Sequence, residues 1–252
     1  MQIVRFQLER ATCFGVLDGA VVVECSGTPW TALRRGRRRH PLRQVILLSP
    51  VLPSKIVAVG LNHREHAAAL GRAVPAEPLI FLKPVSAMIG LDDPIVAPPT
   101  CGRLECEGEL AVVMKRRCRN VAPARARDYV LGYTALNDVT ARDIQVRDGD
   151  WTRAKAFDTF CPVGPGIVTD LDPNAVTIET WVIGSLVRAA STKELLVPVE
   201  DLVARVSEVM TLLPGDVLAT GSPGMAAPIA PGDRIEVRVE GVGCLKNSVV
   251  RL

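Results

Sequence analysis

A mixed, mainly β fold is predicted by three features of this 252-residue chain. Short runs rich in β-branched and other apolar residues recur along it, many bounded by Gly, Pro, Asn or Asp. Few segments carry helical periodicity. No alternation of strands with helices appears, and no GxGxxG follows a strand, which disfavours a doubly wound dinucleotide-binding fold.

The elements follow in order. Residues 1–50 read as a small N-terminal β-rich appendage and 51–252 as the main body. IVRFQL and FGVLDGAVVVEC are strand-like, with Asp18-Gly19 as a turn signal. RRGRRRH (34–40) holds five arginines, which outweigh the formal net charge of +3 and leave the rest of the chain net negative. It sits between a turn and a strand and reads as a solvated loop, or as a contact with an anionic surface of a partner subunit. No aromatic platform or recognised binding motif accompanies it, so nucleic acid is not expected as a partner. KIVAVG (55–60) reads as a buried strand, because its apolar residues are β-branched and nearly continuous. REHAAALGRA (64–73) reads as a short helix ended by Gly71 and Pro75. LIFLKP (79–84) is a strand stopped by Pro84, ELAVVM (109–114) another, and DYVLGYTALNDV (128–139) enters a loop.

The clearest helix is VEDLVARVSEVMTLL (199–213). Leu202, Val203, Val206, Val209, Met210 and Leu213 fall on one face at helical spacing. LLPGDVLATG (212–221) and IAPGDRIEVRVEG (229–241) then each place Pro-Gly-Asp before a β-rich run. Pro followed by Gly suits a type II turn, so the shared pattern is repeated turn chemistry rather than a domain repeat.

A hydrophobic content of 48% suits one large compact domain with a small appendage. No run approaches the roughly 20 apolar residues that span a bilayer. The N-terminus also lacks a signal peptide's apolar core, so a cytoplasmic location without membrane association is expected. Seven cysteines, at 13, 25, 101, 106, 118, 161 and 244, show no CxxC spacing. They read as reduced thiols. Cys101 and Cys106 have no second thiol or imidazole at ligand spacing, which argues against a soft-metal site.

Chemistry concentrates in the middle of the chain. In LECEGELAVVM (104–114), Glu105, Glu107 and Glu109 stand at every second position, so in an extended chain they point the same way. Like charges crowded on one face need solvent, basic partners or a cation to offset their repulsion. Asp138 in LNDVTARDIQ and Lys155 in WTRAKAFDTF follow, with His66 upstream in GLNHREH. A carboxylate-only set is hard-ligand chemistry that suits Mg²⁺, Mn²⁺ or Ca²⁺ rather than zinc. On spacing alone the acids fit either such a site or a solvated strand edge answered by Lys and Arg.

The order of GLNHREHAAAL, EPLIFLKP, EGELAVVM, DYVLGYTALNDVTARDIQ, WTRAKAFDTFCPVGP and LLPGDVLATGSPGM resembles the successive blocks of the fumarylacetoacetate hydrolase family. The resemblance runs from about Lys55 to the C-terminus, and the first fifty residues resemble the short leader of bacterial members. It implies a β-sandwich roll and a homodimer. It implies a metal site of Glu107, Glu109 and Asp138, with Glu105 outside the ligand set. Arg142 and Gln145 match positions that line the substrate's acid end. Lys155 matches the lysine near the metal. Thr220 and Gly221 lie in the turn that contacts the substrate carboxylate, and His66 matches a water-activating histidine. Each also has a plainer reading: Arg142 ion-paired to Asp143, Lys155 on the surface, Gln145 as a loop hydrogen-bonder.

The implied activity is that of a divalent-metal enzyme acting on a small 2-oxo acid or β-dicarbonyl acid. Mg²⁺ or Mn²⁺ is expected and Ca²⁺ is possible. Hydrolysis of a C–C bond is the leading expectation. Decarboxylation or isomerisation is the alternative, and a metal-dependent binding protein without turnover is the competing class. Three departures from the family pattern bear on the choice. Ala69 replaces the glutamate that pairs with the histidine, and Glu65 is poorly placed to substitute for it. In WVIGSLVRAAST, Ile183 and Arg188 stand where the family commonly has Asn and Gln, and a cation at Arg188 would favour a diacid. His63 replaces a tyrosine and reads as a pocket group or a satisfied buried histidine.

Overall fold

The computed structural model describes residues 1–64, 74–223 and 226–252. His66, Ala69 and the helix expected over 64–73 therefore lie wholly or mostly outside the described residues.

The fold is built on a twelve-stranded sheet whose central path runs from Arg34–Pro41 at one edge to Leu79–Lys83 at the other. The N-terminal strands join it directly: Gln2–Leu8 pairs antiparallel with Cys161–Val168, with Gln2 opposite Val168. The Trp30 indole N–H also donates to the Met114 carbonyl at 3.0 Å. The strands of the first fifty residues thus continue the main sheet. The arginine run is not a loop, as expected, but the edge strand Arg34–Pro41. Residues 34–39 of this edge strand are all exposed, which leaves long cationic side chains in water, a common device against edge-to-edge pairing. Arg38 pairs with Glu24, and Arg39 with Asp18 at 2.8 Å.

Val130–Asn137, expected to lead into a loop, is an eight-residue strand buried over most of its length. Its residues pair with Gly108–Met114 from Asn137 opposite Gly108 to Val130 opposite Met114. A strand covered on both faces loses the polar alternation that would have marked it in sequence. A five-stranded sheet, ordered Ser185–Ser191, Thr177–Val182, Arg234–Val239, Gly243–Arg251 and Ile95–Ala97, packs against this centre. One apolar core joins the two: Val57, Leu110 and Val112 of the large sheet meet Ile178, Val237 and Val239 of the smaller.

The helix Val199–Val209 closes the same core with Leu202, Val203 and Val206. It is shorter than its apolar stripe suggested. Val209 is 62% exposed, and Leu212 bridges to Cys118 as extended chain. Pro214 disfavours a helical conformation at the residue before it, which stops the periodic run early. The two Pro-Gly-Asp turns are alike in detail: Asp216 accepts from the Leu213 N–H and Asp233 from the Ala230 N–H, each at 2.8 Å.

Among the described residues no helix is long and apolar enough to cross a membrane. All seven cysteines are free. Burial, the leading cause, pushes the Cys106 and Cys161 thiols up to about 12, which leaves them as unreactive packing groups.

Candidate active site

The acid strand explains itself from its two faces. Cys106, Gly108 and Leu110 point one way and Glu105, Glu107 and Glu109 the other. Cys106 and Leu110 lie in apolar cores. A Cβ on Gly108 would lie 2.5 Å from the Thr180 hydroxyl and 3.1 Å from a Val237 methyl of the five-stranded sheet. Glycine is the residue that lets the two sheets close here. The opposite face, with its acids, is thereby turned into a cleft of about 310 Å³.

All three glutamates are buried, so the solvated-edge alternative does not hold. Glu105 is answered by cations: Arg142 Nε donates to it at 2.6 Å, and Arg103 pairs with it at 2.6 Å. Glu107, Glu109 and Asp138 converge, each offering an oxygen within 4.8 Å of those of the other two. Oxygens on opposite sides of one hard cation lie roughly 4–5 Å apart, given metal–oxygen distances of about 2.1–2.5 Å. The donor set therefore fits Mg²⁺, Mn²⁺ or Ca²⁺, with all ligand atoms hard and none soft.

Donors from other segments of the chain fix the three carboxylates. Lys155 Nζ bridges Glu107 at 2.7 Å and Asp138 at 2.6 Å. Arg142 also donates to Glu107, and the Gly221 N–H donates to Glu109 at 2.7 Å. Burial opposes the Lys155 ammonium, yet Asp138 and Glu107 outweigh it and hold its pKa above the ordinary lysine value. Glu109 moves the other way. Burial first, then the charges of Asp138 and Glu107, push it well above the ordinary carboxylate range, against the Gly221 N–H and Lys155. Lys155 bonds to its two neighbours rather than to Glu109, which leaves Glu109 the less compensated acid.

The cleft is lined by Glu107, Glu109, Asp138, Lys155, Arg142 and Gln145, as sequence expected. Lys155 is a buried group and not a surface lysine. Arg142 does not pair with Asp143, whose carboxylate instead accepts from the Gly102 and Arg103 N–H groups. Arg142 donates to Gln145 Oε1, and because guanidinium cannot accept, the Gln145 NH₂ is left to donate. The turn after Ala219 reaches the same cleft. The Thr220 hydroxyl donates to the Leu110 carbonyl at 2.9 Å, the Gly221 N–H donates to Glu109, and among the described residues of this turn Ser222 lines the cleft.

Arg188 and Ile183 lie away from it. Ile183 sits 67% exposed at the tip of the hairpin Thr177–Ser191 with φ +50°, and Arg188 pairs with Thr180 in the same hairpin. Neither lines the cleft, so the argument from Arg188 to a diacid has no support there. His63 is fully buried and pairs as extended chain with Leu195; it does not line the cleft either.

Sequence reasoning missed the aromatic wall. Phe81 and Trp151 meet edge to face at 5.1 Å, and the Phe81 ring lies 5.4 Å from Lys155 Nζ. It also missed Lys83, the last residue of the strand Leu79–Lys83. The available signal was a lysine in an otherwise apolar run, LIFLK, where solvation is not to be expected.

Comparison with known proteins places these features. Residues 55–250 match the fumarylacetoacetate (FAA) hydrolase C-terminal family, and residues 1–50 match the Rv2993c-like N-terminal family. The chain is 44% identical to a 5-carboxymethyl-2-hydroxymuconate delta-isomerase from Mycobacterium smegmatis, with a TM-score of 0.94 over 100% of both chains. It is 38% identical over 222 residues to the rat mitochondrial oxaloacetate tautomerase Fahd2a, covering 83% of this chain and 71% of the relative. A maleylpyruvate hydrolase from Sphingobium, solved with manganese and pyruvate, is 32% identical with a TM-score of 0.83, covering 100% of this chain and 99% of that one. Isomerase, tautomerase and hydrolase chemistries thus share this scaffold. With a matching family over nearly four-fifths of its length and the expected acids buried together in one cleft, the chain belongs to the fumarylacetoacetate hydrolase family.

Proposed function

We propose that this protein is a divalent-metal-dependent enzyme that interconverts or cleaves a small 2-oxo acid, with isomerisation or tautomerisation ahead of C–C hydrolysis. The observation that carries the reading is the buried trio Glu107, Glu109 and Asp138 beside Lys155 on the wall of the cleft. The manganese and pyruvate held by the Sphingobium relative support the same ligand class. Mg²⁺ or Mn²⁺ bound by the trio would supply Lewis-acid stabilisation of charge that develops on the substrate's oxygens.

The remaining roles belong to the chain itself. Lys155, whose Nζ bridges Glu107 and Asp138, places a positive charge beside the trio on the cleft wall. Arg142 and Gln145 line the cleft, where the guanidinium and the Gln145 NH₂ would meet an anionic oxygen of the substrate. Phe81 and Trp151 exclude water from one side, which strengthens each of these interactions. No histidine lines the cleft among the described residues, and we assign proton transfer to His66 from its sequence position. Ala69, in place of the partner glutamate, is what favours isomerisation over hydrolysis. Hydrolysis needs a well-poised base to activate water, whereas an enolising reaction relies chiefly on charge stabilisation.

The test is a panel of oxaloacetate, hydroxymuconate-type diacids and acylpyruvates, with Mg²⁺ or Mn²⁺ and with chelator. Keto–enol exchange and double-bond shift are followed by NMR, cleavage by product analysis. Metal-dependent exchange or shift that exceeds cleavage is expected. Glu107→Gln should lose metal affinity and turnover together, and full retention of both would sink the metal assignment. His66→Ala should lower turnover on the order of 10²-fold with metal affinity unchanged. Binding without turnover across the panel would favour the non-enzymatic reading.

A further inference from the structure

We infer that Lys83 is a positioning residue that pre-sets both the third metal ligand and the cleft lysine, an inference that rests on the metal reading above. Lys83 ends the strand Leu79–Lys83 opposite Ile56 and is 1% exposed, with no place on the cleft wall. Its Nζ donates to Asp138 Oδ1 at 2.5 Å, to the Lys155 carbonyl at 2.7 Å and to the Val139 carbonyl at 3.4 Å. An ammonium has three protons and all three have acceptors, which is the condition for a lysine to be buried without prohibitive cost.

The acceptors come from the two segments that carry the chemistry. Asp138 is held at both ends, Oδ1 by Lys83 and Oδ2 by Lys155. Two hydrogen bonds from separate elements fix the carboxylate's rotation as well as its position, and each oxygen keeps a second lone pair for a cation. The bond to the Lys155 carbonyl ties down the end of the short helix Thr152–Lys155. One ammonium thus anchors the main chain of Lys155 while that residue's own ammonium bridges Glu107 and Asp138. Lys83 does not line the cleft itself, so its influence passes through the groups it orients. Supporting groups of this kind typically alter metal affinity by 10–100-fold.

The experiment measures Mn²⁺ binding by calorimetry, and the Mn²⁺ electron paramagnetic resonance spectrum, for wild type, Lys83→Met and Lys83→Gln. Val112→Ala, in the core of the same sheet, is the control for general destabilisation. Lys83→Met is expected to weaken Mn²⁺ binding at least tenfold and to broaden the spectrum. Val112→Ala should melt at a lower temperature than wild type yet bind Mn²⁺ within twofold of it. If Lys83→Met does not fold, Lys83→Gln is judged by the same threshold. A folded Lys83 variant that binds Mn²⁺ within twofold of wild type with an unchanged spectrum overturns the inference. So does an affinity loss in Val112→Ala as large as that at position 83. A wild-type protein that binds no Mn²⁺ overturns instead the metal reading beneath it.

Discussion

Replacing Gly108 by alanine tests how the acids come to face the cleft. The added methyl would sit 2.5 Å from the Thr180 hydroxyl and 3.1 and 3.3 Å from the two Val237 methyls. Thr180 is 3% exposed and stiff at χ1, so rotation exchanges one clash for another. Overpacking of this kind costs about 1–3 kcal/mol. The reduced freedom of the unfolded chain returns about 0.4–1 kcal/mol. The mid-range difference is a net loss of about 1.3 kcal/mol, or a melting temperature lower by roughly 3–5 °C for a chain of this size.

The sheets can also separate by shifting the acid strand, which would move Glu107 and Glu109 and weaken Mn²⁺ binding. Thr180→Ala removes the obstructing atoms, so Gly108→Ala with Thr180→Ala should be less destabilised than the sum of the single changes. Thermal unfolding and Mn²⁺ calorimetry on the four proteins measure both effects. A Gly108→Ala protein as stable as wild type, or strict additivity in the cycle, would refute the close-approach argument.

Three further outcomes are expected. Because Glu109 is raised in the fold, the native protein binds more protons than the unfolded chain through that window, and the slope of stability with pH is negative there. Metal-free protein should therefore lose stability as pH rises from the ordinary glutamate value of 4.5 toward the raised one, and Glu109→Gln should flatten that slope in urea titrations. A wild-type slope equal to the variant's contradicts the assignment. Lys155→Met leaves Glu107 and Asp138 short of a buried cation and should cost about 3–5 kcal/mol in denaturant unfolding. We also predict a homodimer, with Ile183, Leu186 and Val187 exposed on one hairpin as its apolar contact. Light scattering should show two copies for wild type and one for Leu186→Asp, and a monomeric wild type would dispose of the idea.

Much of this molecule is legible in one dimension because its signals are local. Period-2 runs and Pro-Gly-Asp turns announce a β fold, and the turns form with the same aspartate hydrogen bond in both places. The alternation of Glu105, Glu107 and Glu109 fixes which side chains share a face, since that is set by strand geometry alone. Family order then separates Glu105 from the other two, and in the fold Glu105 pairs with Arg103 and Arg142.

What the sequence could not decide depends on neighbours distant along the chain. Whether Glu107 and Glu109 face water or a closed cleft turns on the approach of Thr180 and Val237 to Gly108, some seventy and one hundred thirty residues away. Whether Arg142 answers Asp143 or Glu107 turns on the packing of its helix against the acid strand. The resemblance gives the turn at Thr220 to the substrate, but only the fold shows that the Thr220 hydroxyl donates to the adjacent strand while Ser222 lines the cleft. Lys83 looked like an ordinary strand end because the acceptors that justify burying it, Asp138 and the Lys155 carbonyl, lie 55 and 72 positions further on. Local pattern determines which way a side chain points; only the folded chain determines what it meets, because charge and burial are properties of the assembled surroundings.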